Sequence, residues 1–193
     1  MSATPKASSH AIEMPAPYGL APAPGLRWNP EVDFAARNIR ALIDLWKAHR
    51  PTRRGLPSFG RFDGLELRPW ADNLIVLDTE PTLFGGHSYR YRMVGPAAST
   101  VEGGNFTGLY LQDALSSAQA APRVRLYDRA LQFRAPVEVS GRVALGGTSP
   151  ATPGTAPGSA PGTARWDTVA LPLSYVGERA DHLMVLTYVE ALD

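Results

Sequence analysis

Cysteine is absent from the 193 residues. That removes disulfides, thiolate metal centres and cysteine nucleophiles. It also fits a reducing compartment, so a cytoplasmic location is expected. No segment approaches the roughly 20 apolar residues needed to span a bilayer, and no membrane partner is expected. An excess of one charge is missing too. The chain has 19 basic and 18 acidic residues, a net +1, so no electrostatic footprint for nucleic acid follows. Histidine is scarce. His10, His49, His87 and His182 form no helical metal-binding spacing with one another or with a carboxylate, and a metal site is not expected. Ser99, Ser116 and Ser117 lack an elbow motif or a partnered base. Gly85-Gly86 and Gly103-Gly104 resemble no phosphate-cradling loop.

What is present divides into a tail and one domain. Residues 1–28 are rich in Ala and Pro without a continuous apolar run. They read as a disordered tail, not a targeting signal. Residues 29–193 read as a single domain. A helix is expected to begin there, with Asn29 as cap, Pro30 in the first position and Glu31 at the positive end of the dipole. Ala35, Ile39, Leu42, Ile43 and Trp46 fall on one helical face. Pro51 should end the helix at Arg50. That stripe is suited to burial against the domain or against a second copy, and a homodimer through this helix is the expected assembly.

Basic residues follow, including Lys47, His49, Arg61 and Arg68. They read as a solvated face, with Arg50, Arg53 and Arg54 as candidate anion ligands. From Asn73 the pattern changes to strands. Leu74 to Leu77 is apolar on both faces and should be central in its sheet. In the next strand, Ser88 to Val94, alternation puts Tyr89, Tyr91 and Met93 on one face and Arg90 and Arg92 on the other. A second helix is expected over Pro122 to Arg134, then strands from Val137 to Leu145, Arg165 to Tyr175 and Asp181 to Ala191. Pro172 within a strand requires an outward amide or a bulge. Residues 146–163 contain only Gly, Pro, Ser, Thr and Ala, which predicts a flexible hairpin excursion. These elements predict an α+β domain: a five-stranded antiparallel sheet with helices over one face, preceded by an amphipathic N-terminal helix.

The helix segment Leu42 to Arg50 (LIDLWKAHR), Arg68-Pro69-Trp70 before the first strand, the YRY of Tyr89 to Tyr91, Phe106-Thr107-Gly108 and Leu171-Pro172-Leu173 occur in an order that resembles a stand-alone PAS-like domain family of alphaproteobacteria. The resemblance spans about Asp33 to Val189. It implies a PAS fold with a small-molecule cavity or a plugged core between sheet and helices. The 193 residues leave no room for a kinase or cyclase output module, so it also implies a non-enzymatic sensory or protein-interaction domain signalling through a separate partner. Pro96 after Gly95 and the 146–163 insertion depart from the family pattern, both between elements. Haem is disfavoured because the helix Pro122 to Arg134 lacks histidine, and a cysteinyl-flavin is disfavoured because cysteine is absent.

Tyr89, Tyr91, Met93, Tyr127, Leu171 and Tyr188 are the candidate cavity lining, offering apolar surface with phenolic handles. Filling the core is the alternative role for the same side chains, and strand parity does not decide which sheet face the helices cover. Two further readings stay open. One is an isomerase- or hydratase-like enzyme, for which the strand carboxylates are Asp78, Glu138, Asp167 and Glu190. The other is a nucleotide second-messenger effector using the Arg50 to Arg54 cluster.

Overall fold

The computed structural model describes residues 34–83, 85–145, 162–175 and 179–192. The expected tail, the helix start at Asn29 to Glu31 and residues 146–161 of the low-complexity segment lie outside these. Helix α1 runs Phe34–Ala48, and a connector with the one-turn helix α2 (Gly64–Leu67) leads to strand β1 (Leu74–Pro81). Strand β2 (His87–Val94), α3 (Pro96–Glu102), α4 (Leu111–Ala114) and α5 (Ser117–Phe133) follow, then β3 (Val137–Leu145), β4 (Gly162–Leu173) and β5 (His182–Leu192). The sheet is antiparallel throughout, in the order β2-β1-β5-β4-β3. The domain is α+β, with β1 an inner strand as its two-faced hydrophobicity requires.

Each face of the sheet carries its own core. On one, the α1 stripe of Ala35, Ile39, Leu42, Ile43 and Trp46 packs on Val76, Val169, Leu171, Leu173, Met184 and Leu186. The chain's own sheet therefore takes the stripe that would otherwise have paired two helices, and an assembly through α1 would have to use its outer side. On the other face, α3, α4 and α5 contribute Ala98, Leu111, Leu115, Leu126, Tyr127 and Leu131 over Ile75, Leu77, Tyr89, Tyr91, Leu183 and Val185.

Local chemistry explains the boundaries. Helix α5 starts at Ser117, earlier than expected, because the Gln119 side chain accepts from the Ser116 backbone N–H at 3.1 Å; this reciprocal capping pattern outweighs the Pro122 that suggested a later start. Gly103 ends α3 with φ 89, a left-handed conformation that glycine adopts without cost. At Gly95 the β2 end passes so close to the connector that a Cβ would overlap the Ala71 and Asp72 carbonyls. Pro172 lies beyond Ala170, where pairing with β3 stops, and its carbonyl accepts from Trp46 Nε1 at 2.8 Å.

Candidate functional site

The helix-side core brings three of the selected residues together. Tyr89 and Tyr91 point from β2 to α5, where Tyr127 meets Tyr89 edge-on with ring centres 5.2 Å apart. Both β2 hydroxyls are engaged within the chain. Tyr89 donates to Asp128 Oδ1 at 2.6 Å, and His87 Nδ1 lies 3.2 Å from the same oxygen. Tyr91 donates to Glu102 Oε2 at 2.9 Å. The other Glu102 oxygen takes Arg123 at 3.2 Å, and Arg123 also donates to the Gln119 carbonyl at 2.8 Å. The Glu102 and Arg123 side chains are only 2% and 5% exposed. A charge pair this deep is tolerable only with its hydrogen bonds complete, and Tyr91 and Gln119 supply them.

Burial raises both phenols well above the usual tyrosine range. The hydrogen bond to Asp128 adds to this at Tyr89, and the Glu102 charge does so at Tyr91. Both therefore stay neutral hydrogen-bond donors at physiological pH.

The remaining selected residues lie elsewhere. Leu171 and Tyr188 belong to the α1-side core, because strand parity turns them to the opposite face. Tyr188 packs against Phe34, and burial pushes its phenol up to about 12. A bulge shifts the register between Val76 and Leu77, so consecutive Arg92 and Met93 both point outward, Met93 39% exposed. The six side chains thus do not converge on one cavity, and none lines either of two surface depressions among the described residues. The larger, an open groove of about 560 Å³, is lined by His87, Asp128, Leu131, Gln132, Arg134 and Arg179 among others. Among the described residues its lining includes no serine, threonine or cysteine nucleophile. The smaller, about 400 Å³, lies between α4 and α5 around Leu115, Ala120 and Val124.

Of the proposed anion ligands, Arg50 serves the fold: its Nε donates to the Gly55 carbonyl at 3.1 Å, and its guanidinium lies over Trp46. Arg53 and Arg54 are exposed in the bend that follows. Arg90 and Arg92 are both exposed on β2, and each pairs with Asp78, at 3.0 and 3.2 Å. His182 lies between Asp78 and Asp181, at 3.3 and 2.6 Å, with the Phe59 ring stacked beside it. Among the described residues no group of His, Asp and Glu could hold a metal ion.

Sequence reasoning missed Glu102, Arg123 and Asp128. One signal was available: Arg123 shares a helical stripe with Ala120, Tyr127 and Ala130. An arginine on a buried face calls for a buried counter-charge. Its partner, 21 residues earlier in the chain, follows only from the packing of α3 on α5.

No described helix is long and apolar enough to cross a membrane. No protein-family model, curated protein or solved structure matches this chain.

Proposed function

We propose that the chain is a cytoplasmic PAS-type domain that acts by protein interaction, through a separate signalling partner and without chemistry of its own. The observation that carries this reading is the closure of the helix-side core. In a β2-β1-β5-β4-β3 sheet, the space where a sensor domain would hold a small molecule is occupied by Tyr89, Tyr91 and Tyr127. The hydroxyls of Tyr89 and Tyr91, which would orient a ligand, are bound to Asp128 and Glu102. A phenol already satisfied by a carboxylate gains little from a ligand, since the ligand would replace a bond already made, and at Tyr91 it would strip one from the buried Glu102. The signal would then travel by surface contact, and self-association would use the outer side of α1.

Native mass spectrometry of the full chain tests this, because bound mass and subunit count are read together. A bare chain or a bare dimer is expected. A small molecule retained in stoichiometric amount, and lost on Tyr91→Ala, would overturn the interaction reading in favour of ligand sensing.

A further inference from the structure

The near-neutral net charge conceals an uneven distribution. Between Phe34 and Arg68, eight Lys or Arg stand against three Asp or Glu; from residue 69 to the end, nine stand against twelve. The basic excess is therefore local to α1 and its connector. The three acids in this region are already engaged. Asp44 pairs with Lys47 at 2.9 Å, Asp63 accepts from the Leu65 N–H at 3.0 Å, and Glu66 contacts His49 at 3.0 Å. Arg53, Arg54, Arg61 and Arg68 are exposed, and none has an ion-pair partner among the described residues. The Glu66 contact and the packing of His49 on Phe62, ring centres 4.5 Å apart, hold α2 beside the C-terminal end of α1. Between Arg61 and Arg68, α2 presents Leu65, 73% exposed.

We propose that the C-terminal end of α1, the bend after it and α2 form a docking surface for an acidic protein segment, its carboxylates meeting Arg53, Arg54, Arg61 and Arg68 around Leu65. This rests on the reading of the chain as an interaction domain and names the chemistry of its partner. All four cations of this surface are arginine, whose planar fork matches a carboxylate in a bidentate way and which is enriched at protein interfaces. An exposed leucine at the centre gives a partner side chain something to cover. It offers no flat ring for base stacking, and the interspersed Asp44, Asp63 and Glu66 interrupt the continuous positive field that a phosphate polyanion requires.

The test is fluorescence anisotropy of labelled poly-L-glutamate titrated with the full chain. Binding is expected at low salt and should weaken as ionic strength rises, as for exposed charges. Arg53→Glu/Arg54→Glu and, separately, Arg61→Glu/Arg68→Glu should each lower affinity about tenfold or more. Arg125→Glu/Arg129→Glu makes the same change in net charge on α5, across the sheet, and should leave affinity within about twofold. All these side chains are exposed, and a thermal melt checks that each variant is folded. Three results would overturn the proposal: no binding by the wild type, equal losses from the α5 pair and the patch pairs, or duplex DNA or phosphatidylserine vesicles binding as tightly as polyglutamate. A small molecule retained in native mass spectrometry would remove the interaction reading while leaving these affinities as measured, so the two failures are distinguishable.

Discussion

On the α1 side of the sheet, aliphatic side chains and two tryptophans form the core, and each indole N–H is given to a backbone carbonyl: Trp46 to Pro172 and Trp70 to Asn38. On the α5 side, two of the three tyrosines hydrogen-bond carboxylates, and one of those carboxylates is buried with an arginine. The two layers share strands and differ in what maintains them. The first depends mainly on volume, and its one shifted phenol, Tyr188, is raised by burial alone, without a carboxylate. The second depends on charge pairing, so it responds to pH and to the loss of single polar atoms.

Two truncations should have the largest effects, and they separate the layers. Trp46→Ala should cost about 3–5 kcal/mol through lost burial and the cavity left behind. Glu102→Ala should cost a similar amount, about 3–5 kcal/mol, because Arg123 remains buried without its counter-charge. The difference lies in rescue. Glu102→Leu combined with Arg123→Met should recover most of the second loss, read by urea denaturation. If the double variant is as unstable as Glu102→Ala, the charge pair is not what distinguishes the α5 side.

Hydroxyl deletion sharpens the contrast at smaller scale. Tyr91→Phe removes a bond to a buried carboxylate and should cost about 1.5–3 kcal/mol. Tyr188→Phe, on the α1 side, removes a hydroxyl with no hydrogen-bond partner among the described residues. It should change stability by no more than about 0.5 kcal/mol. Equal losses would erase the distinction.

Alkaline pH probes the same difference. In the folded state Tyr89 and Tyr91 hold their protons well above the usual range, whereas in the unfolded chain they titrate near about pH 10. The folded state therefore binds these protons more tightly. The stabilisation is complete below about pH 10 and is lost as pH rises further. Stability measured across that range should fall more steeply for the wild type than for Tyr91→Phe, and parallel curves would rule out Tyr91 as a cause.

The smallest effect is expected from the β3–β4 connection. The ladder runs to the pair Leu145 and Gly162, so a tight turn in place of residues 146–161 should keep the melting temperature within a few degrees, since closure entropy changes slowly with loop length. A collapse of folding would show that this segment contributes to one of the two layers.

Periodicity and punctuation made much of this protein legible from the chain alone. The stripe from Ala35 to Trp46, the two-faced run from Leu74 to Leu77 and the alternation in β3 to β5 are local patterns, and they specify element type and order because helix and strand repeats differ along the chain itself. The tyrosines of β2 could be assigned to a shared face for the same reason. What only the tertiary structure decided is which elements lie opposite one another. Parity divides a strand into two faces but does not say what covers each, so Leu171 and Tyr188 were grouped with side chains on the far side of the sheet. A register shift opposite Val76 and Leu77 turned Met93 outward, and alternation carries no mark of such a bulge. The pairings of Glu102 with Arg123 and of Asp78 with Arg90, Arg92 and His182 join residues 12 to 104 positions apart. Their energies arise from desolvation and proximity, and both exist only once the layers have closed.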